Sequence, residues 1–260
     1  MSKVMTSKVF TEKALKVAKN YKALYVMGGF GSPLTKANKK RFINQNDYNK
    51  QTRRKAKINA AASKTFAFDC SGLIKGILWG WNGSTLKSNG GAKYASNGVP
   101  DINANTMITS KYCTGVSTDF KNIKVGEIVW TTGHVGIYVG NGLVVESTPS
   151  WEDGVQITGL KNLGVKEGYN NRAWKKHGKL KYIDYSSSNT VNSNEKVKYY
   201  KKYTGSSKSL VDALKTLNID SSYANRKKIA KANGIKLYVG SPSQNTKLLN
   251  LLKQGKSIKP

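Results

Sequence analysis

The stretch Phe68-Asp69-Cys70-Ser71-Gly72-Leu73-Ile74-Lys75-Gly76-Ile77-Leu78-Trp79 places a cysteine at the opening of an amphipathic helix. Asp69 has the residue type of an N-cap, and Leu73, Ile74, Ile77, Leu78 and Trp81 recur at helical period on one apolar face. Gly80 supplies the stop. A thiol in the first turn lies beside unpaired backbone N–H groups and the positive end of the helix macrodipole. That setting is expected to lower its pKa and favour the thiolate, the nucleophilic form. Residue type alone also allows a second reading, a small buried apolar side chain.

Acyl transfer by a cysteine needs an imidazole to take and return a proton, and a third group to fix the ring. The chain has two histidines and two cysteines. His134 opens the alternating run His134-Val135-Gly136-Ile137-Tyr138-Val139, just after the turn Thr131-Thr132-Gly133. His177 lies in a lysine-rich connection and reads as structural. Along a strand His134, Gly136 and Tyr138 share one face, and Val135, Ile137 and Val139 the other. Gly140-Asn141-Gly142 then signals a hairpin. A two-residue loop would set Glu146 opposite Ile137, away from His134. A three-residue loop with a glycine bulge sets it opposite Gly136, on the same face as His134. Only that register lets Glu146 orient the imidazole, and it is the one expected. If Cys70 is a nucleophile it must be free, and Cys113 is a bystander; pairing of the two is left open.

Around this unit the chain reads as α+β. A first helix is expected over 11–24, capped by Thr11, with Phe10 and Leu15 as a hydrophobic staple. Residues 31–65 are polar and read as a long surface insertion with a helical patch over 46–62. A short helix is expected over 103–112, and strands over 126–130, 134–139, 143–148, 155–158 and 180–185. Consecutive antiparallel strands after a helix imply helices on one side of a sheet. Residues 186–195 are Ser/Asn-rich and read as a linker. The rest reads as a small all-α domain with helices near 210–217 and 222–232, and a third running from the capping box Ser241-Pro242-Ser243-Gln244 to Gly255. The expected division is thus 1–185, 186–195 and 196–260.

The 260 residues carry 44 Lys+Arg against 14 Asp+Glu, a net charge of +30, and residues 196–260 alone hold 15 Lys/Arg against two acids. Such a field calls for anionic partners. The charge is spread along the chain and mostly lysine, which argues against specific nucleic-acid reading. No run approaches 18 apolar residues, so no membrane-inserting helix is expected. The first ten residues lack an apolar h-region, so synthesis in the cytoplasm is expected, with release needed for any action outside. The spacing of the histidines and cysteines is not that of a zinc site, and no metal or cofactor is expected.

Taken together, Tyr25-Val26-Met27-Gly28-Gly29, Phe68-Asp69-Cys70-Ser71-Gly72-Leu73, Val125-Gly126-Glu127-Ile128-Val129 and Gly133-His134-Val135-Gly136-Ile137-Tyr138-Val139-Gly140 resemble the NlpC/P60 cysteine peptidases, papain-like bacterial cell-wall hydrolases. The resemblance runs from about 25 to 185. It implies an antiparallel sheet packed against helices, with Cys70 as nucleophile, His134 as general base and Tyr25 helping to bind the oxyanion. Glu146 falls at the third position, where the family usually has His, Asn or Gln; a carboxylate there is closer to the CHAP-type hydrolases. Asp69, Ser71 and Gly133 are expected to contact substrate, with Trp130 and Trp151 as an aromatic platform. The implied reaction is cleavage of an amide in the peptidoglycan stem peptide, as a γ-D-glutamyl-diamino-acid endopeptidase. An N-acetylmuramoyl-L-alanine amidase is the alternative, and a non-enzymatic binder of anionic polymer the alternative of another class. Hydrolase, linker and small basic module together resemble a phage endolysin, with peptidoglycan and anionic wall polymers as partners.

Overall fold

A helix that is apolar all round has to be covered on every side, and strands that alternate supply one such cover. The computed structural model of the chain describes residues 3–186, 199–235 and 238–260, in two units, Met1–Thr190 and Val191–Pro260. In chain order the first unit contains β1 (Met5–Thr6), α1 (Ser7–Asn20), β2 (Ala23–Tyr25), β3 (Phe30–Pro33), α2 (Lys36–Gln45), α3 (Asp47–Lys50), α4 (Thr52–Ala60), β4 (Phe66–Phe68) and α5 (Cys70–Leu78). There follow α6 (Ala104–Met107), β5 (Cys113–Ser117), β6 (Ile128–Thr131), β7 (His134–Gly140), β8 (Leu143–Thr148), β9 (Gly154–Leu160), β10 (Asn171–Arg172), β11 (Lys176–Leu180) and β12 (Ile183–Asp184). The fold is α+β.

Seven strands form the main sheet in the order β10-β9-β8-β7-β6-β11-β5, antiparallel except for β10 on β9. A smaller sheet, β2-β4-β3, leads into α5. Every residue of α5 is buried. Its apolar side chains join Val135, Ile137 and Val145 from one face of the sheet, together with Phe10, Ala14 and Val17 of α1. The opposite face buries Tyr138, Val144, Leu160 and Trp174. The alternation expected along β7 is therefore the observed one.

Three expectations on local structure are corrected. Thr6 caps α1, accepting from the Val9 N–H, so the helix starts earlier than a Thr11 cap allows. Thr11 is inside it, its hydroxyl donating to the Ser7 and Lys8 carbonyls, and Leu24 belongs to β2. The buried stripe Phe10, Ala14, Val17 decides this, because it needs a full turn before Phe10. Residues 31–65 hold β3 and α2 to α4, with Phe42, Ile43 and Ile58 closing over Val26, Leu34 and Ala67 as a core of their own. Lysines and arginines on the outer faces of α2 and α4 hid those few apolar anchors. Near the second cysteine, only Ala104–Met107 is helical, and β5 is an additional strand.

The second unit contains α7 (Leu210–Thr216), α8 (Tyr223–Ala232) and α9 (Pro242–Lys253). Ser209, Ser222 and Ser241 cap them, and Ser241 forms a capping box with Gln244. Leu210, Leu214, Ile229, Leu248, Leu249 and Leu252 fill its core, while Leu251 is only half-buried. The linker expected over 186–195 lies, apart from Ser186, outside the described residues.

Candidate active site

Asp69 decides where α5 begins. Its Oδ1 accepts from the Gly72 N–H at 2.5 Å and from the Ser71 hydroxyl at 3.1 Å, and its Oδ2 accepts from the Gly28 N–H at 2.8 Å. The carboxylate thereby caps the helix and pins the Met27–Gly29 turn against it. Gly72 makes the approach possible: a Cβ there would lie 1.9 Å from the Gly29 carbonyl oxygen. Cys70 is then the first helical residue, its own N–H and that of Ser71 left unused by the cap.

Cys70 is 7% exposed and lines a cleft of about 710 Å³ that also takes in Tyr25, Asp69, Ser71, Gly133, Lys75 and Asp101. Its Sγ lies 3.9 Å from the Gly133 carbonyl oxygen and within reach of the Val135 N–H. The sulfur is thus bracketed by the backbone on either side of His134. Both cysteines are free.

The thiol does not follow the sequence expectation. Burial first, and then the negative charge of Asp69, push it up to about 11. The Val135, Ser71 and Cys70 N–H groups pull the other way and do not compensate. A helix N-terminus stabilises an anion by about 0.3–1 kcal/mol, whereas desolvation of a buried thiolate shifts it by units. The resting group is a neutral thiol.

On the other side of the sheet's end, His134 Nε2 meets Glu146 Oε2 at 2.7 Å. The register behind this contact is Gly136 opposite Glu146, as expected. The device differs in detail. Gly140 pairs with Leu143, and Asn141 and Gly142 make a two-residue turn with φ of 54° and 69°; the extra residue is a bulge between Tyr138 and Gly140. Two successive left-handed residues fit the twist of a tight hairpin, so the bulge moves into the strand. With Nε2 turned to the carboxylate, Nδ1 is the ring nitrogen on the far side from Glu146.

Three further residues complete this half of the site. Glu146 is 0% exposed, and its Oε1 also accepts from the Thr158 hydroxyl at 2.6 Å. Arg172 Nε lies 2.9 Å from Oε2 and 3.2 Å from Oε1. Trp174 stacks on the His134 ring, 5.4 Å between centroids and 14° between planes. Gly136 leaves room for it, since a Cβ there would come within 3.1 Å of the indole. The sequence reading passed over Thr158, Arg172 and Trp174. The available signal was Glu146 itself, because a carboxylate in an apolar strand demands partners.

Tyr25 stands at the cleft, its phenol raised chiefly by burial, so it remains a donor. Asp69 and Ser71 line the cleft with their polar atoms turned to each other and to the backbone. Trp130 and Trp151 lie outside it. Trp130 Nε1 donates to Asn105 Oδ1, which also accepts the Gly133 N–H and so fixes the turn before His134. His177 is a buried structural group, paired with Glu127 and with the Asp119 carbonyl. Among the described residues no group of three or more His, Cys, Asp or Glu is placed to hold a metal, and no helix is long and apolar enough to cross a membrane.

A thiol at a helix start, an imidazole on the first residue of a strand and a carboxylate on the next strand are the kinds of group that a cysteine–histidine–carboxylate site requires. Residues 59–177, which include Cys70, His134 and Glu146, match the model of the NlpC/P60 family. The chain is also similar to an L-alanyl-D-glutamate peptidase of Listeria phage A118, 53% identical over 51 residues, 20% of this chain and 18% of that protein. Similarity to an endolysin of Listeria phage A511 is 52% over 46 residues, 18% of this chain and 14% of that protein. The chain thus spans less than a fifth of the length of these curated relatives.

Proposed function

We propose that this protein is a phage-type peptidoglycan hydrolase that cuts an amide bond of the stem peptide by cysteine catalysis. The observation that carries the reading is the neutral Cys70 thiol held against the backbone flanking His134, whose far nitrogen is bound to a buried carboxylate. In the proposed sequence His134 Nδ1 takes the thiol proton as sulfur attacks the carbonyl. The resulting oxyanion is met by the Cys70 and Ser71 N–H groups and the Tyr25 hydroxyl. The imidazolium, steadied by Glu146, returns its proton to the leaving amine. Water activated by the same ring then hydrolyses the thioester.

Because the thiol is held well above neutrality, general-base assistance during attack fits better than a thiolate prepared by the helix alone. The favoured bond is γ-D-glutamyl to diamino acid, from the family resemblance. The phage A118 relative's name favours the L-alanyl–D-glutamate bond as a second reading. An amidase cut would release bare glycan. The basic second unit is proposed to hold the enzyme on anionic wall polymer and so raise its effective concentration there.

Cys70→Ala and Cys70→Ser should both abolish clearing of wall suspensions; clearing at the wild-type rate by either discards the catalytic assignment. Mass spectrometry of released muropeptides identifies the bond. A chain ending at Ser187 should sediment less with walls at equal salt, and unchanged sedimentation removes the binding role.

A further inference from the structure

Glu146 is fully buried, and its two oxygens are shared among three donors. His134 uses one ring nitrogen, Thr158 one hydroxyl, and Arg172 spans both oxygens through Nε. A fully buried carboxylate without a permanent counter-charge is strongly disfavoured. Arg172 is the cation in contact with it.

The guanidinium is itself tightly held. It lies over the Trp174 ring at 5.6 Å and over the Trp151 ring at 4.8 Å, and Nη2 reaches Thr148 Oγ1 at 3.4 Å. Trp174 is the same indole that stacks on His134, so one ring touches both the imidazole and the cation behind it. Trp151 is 47% exposed and sits at a φ of +56°, a conformation that costs a tryptophan energy. In that conformation its ring lies against the Arg172 guanidinium.

We propose that Arg172, clamped between Trp151 and Trp174, is a positioning residue that fixes the Glu146 carboxylate against His134 Nε2 and thereby leaves Nδ1 as the base for Cys70. This rests on the cysteine-hydrolase reading above, and it assigns the role Trp151 plays: a cover for the arginine, outside the cleft.

The test is a double-mutant cycle read by iodoacetamide alkylation of Cys70 in the full chain at neutral pH, quantified on the Cys70 peptide by mass spectrometry. This needs no wall substrate, so it separates failure of the clamp from failure of the hydrolase reading, which wall clearing reports. Arg172→Met should slow alkylation about 100-fold, the scale of a mis-set catalytic group. Glu146→Gln should cost a similar factor, and the double variant no more than Glu146→Gln alone, since Arg172 acts only through that carboxylate. Arg172→Lys keeps the charge and loses the fork, and should recover to within about 10-fold of wild type. Multiplicative losses, or a wild-type rate in Arg172→Met, overturn the proposal. Circular dichroism monitors folding; should Arg172→Met unfold, the Arg172→Lys and Glu146→Gln pair closes the same cycle, and a loss in Arg172→Lys that persists undiminished in the Glu146→Gln background refutes it.

Discussion

Replacing His134 by phenylalanine isolates what the fold does to the Cys70 thiol. The phenyl ring keeps the stack on Trp174 and the local burial, and removes both ring nitrogens. Burial and Asp69 then act on the sulfur with no base beside it, and its half-titration should stand at about 11 against an ordinary 9.0. Two units correspond to about a 100-fold smaller thiolate population at any pH below 9. Iodoacetamide reacts with the thiolate, so the alkylation rate of the Cys70 peptide, followed against pH, should rise with a midpoint near 11. Adding Asp69→Asn should lower that midpoint yet leave it above 9.0, because burial is the larger cause. A midpoint at or below 9.0 in His134→Phe would show that the helix start, and not the imidazole, prepares the nucleophile.

Three other outcomes follow from named contacts. Gly72→Ala puts a Cβ 1.9 Å from the Gly29 carbonyl oxygen, so it should cost about 3 kcal/mol in denaturant unfolding and abolish wall clearing; a fully stable variant refutes the close approach. Burial opposes the His177 imidazolium, but Glu127 and the Asp119 carbonyl outweigh it and its pKa is raised from 6.5. Its contribution is complete below pH 6.5 and fades as pH rises through the raised folded value. The melting temperature of the wild type should accordingly fall toward that of His177→Gln above pH 6.5, and parallel curves would contradict the pairing. Cys113 is pushed up to about 12, chiefly by burial, and its Sγ donates to the Met107 carbonyl oxygen. Cys113→Ala should therefore clear walls at the wild-type rate and lose about 1 kcal/mol of stability; loss of lysis without unfolding would make it a functional thiol.

What the sequence determined was local. An aspartate before a cysteine and an apolar stripe after it dictate a capped helix, and the glycine-rich hairpin announced one extra residue and with it Gly136 opposite Glu146, though the folded chain carries that residue as a bulge in the strand and not in the loop. These depend on residues a few positions apart, where spacing is the physical cause. The helical patch over 46–62 is met by α3 and α4, but α2 went unread, as did the core beneath α2 and α4, because their buried faces hold only two residues each amid charged neighbours and that core is completed by Val26, Leu34 and Ala67 from elsewhere. Tertiary structure alone decided the rest. Arg172 meets Glu146 through the parallel seam of β10 on β9, which no hairpin announces, and Trp174 arrives over Gly136 from beyond the same seam. The charge state of Cys70 was likewise settled by how deeply the folded chain encloses it: desolvation is a property of everything packed around an atom, and a helix position read from sequence carries only the smaller, dipolar part.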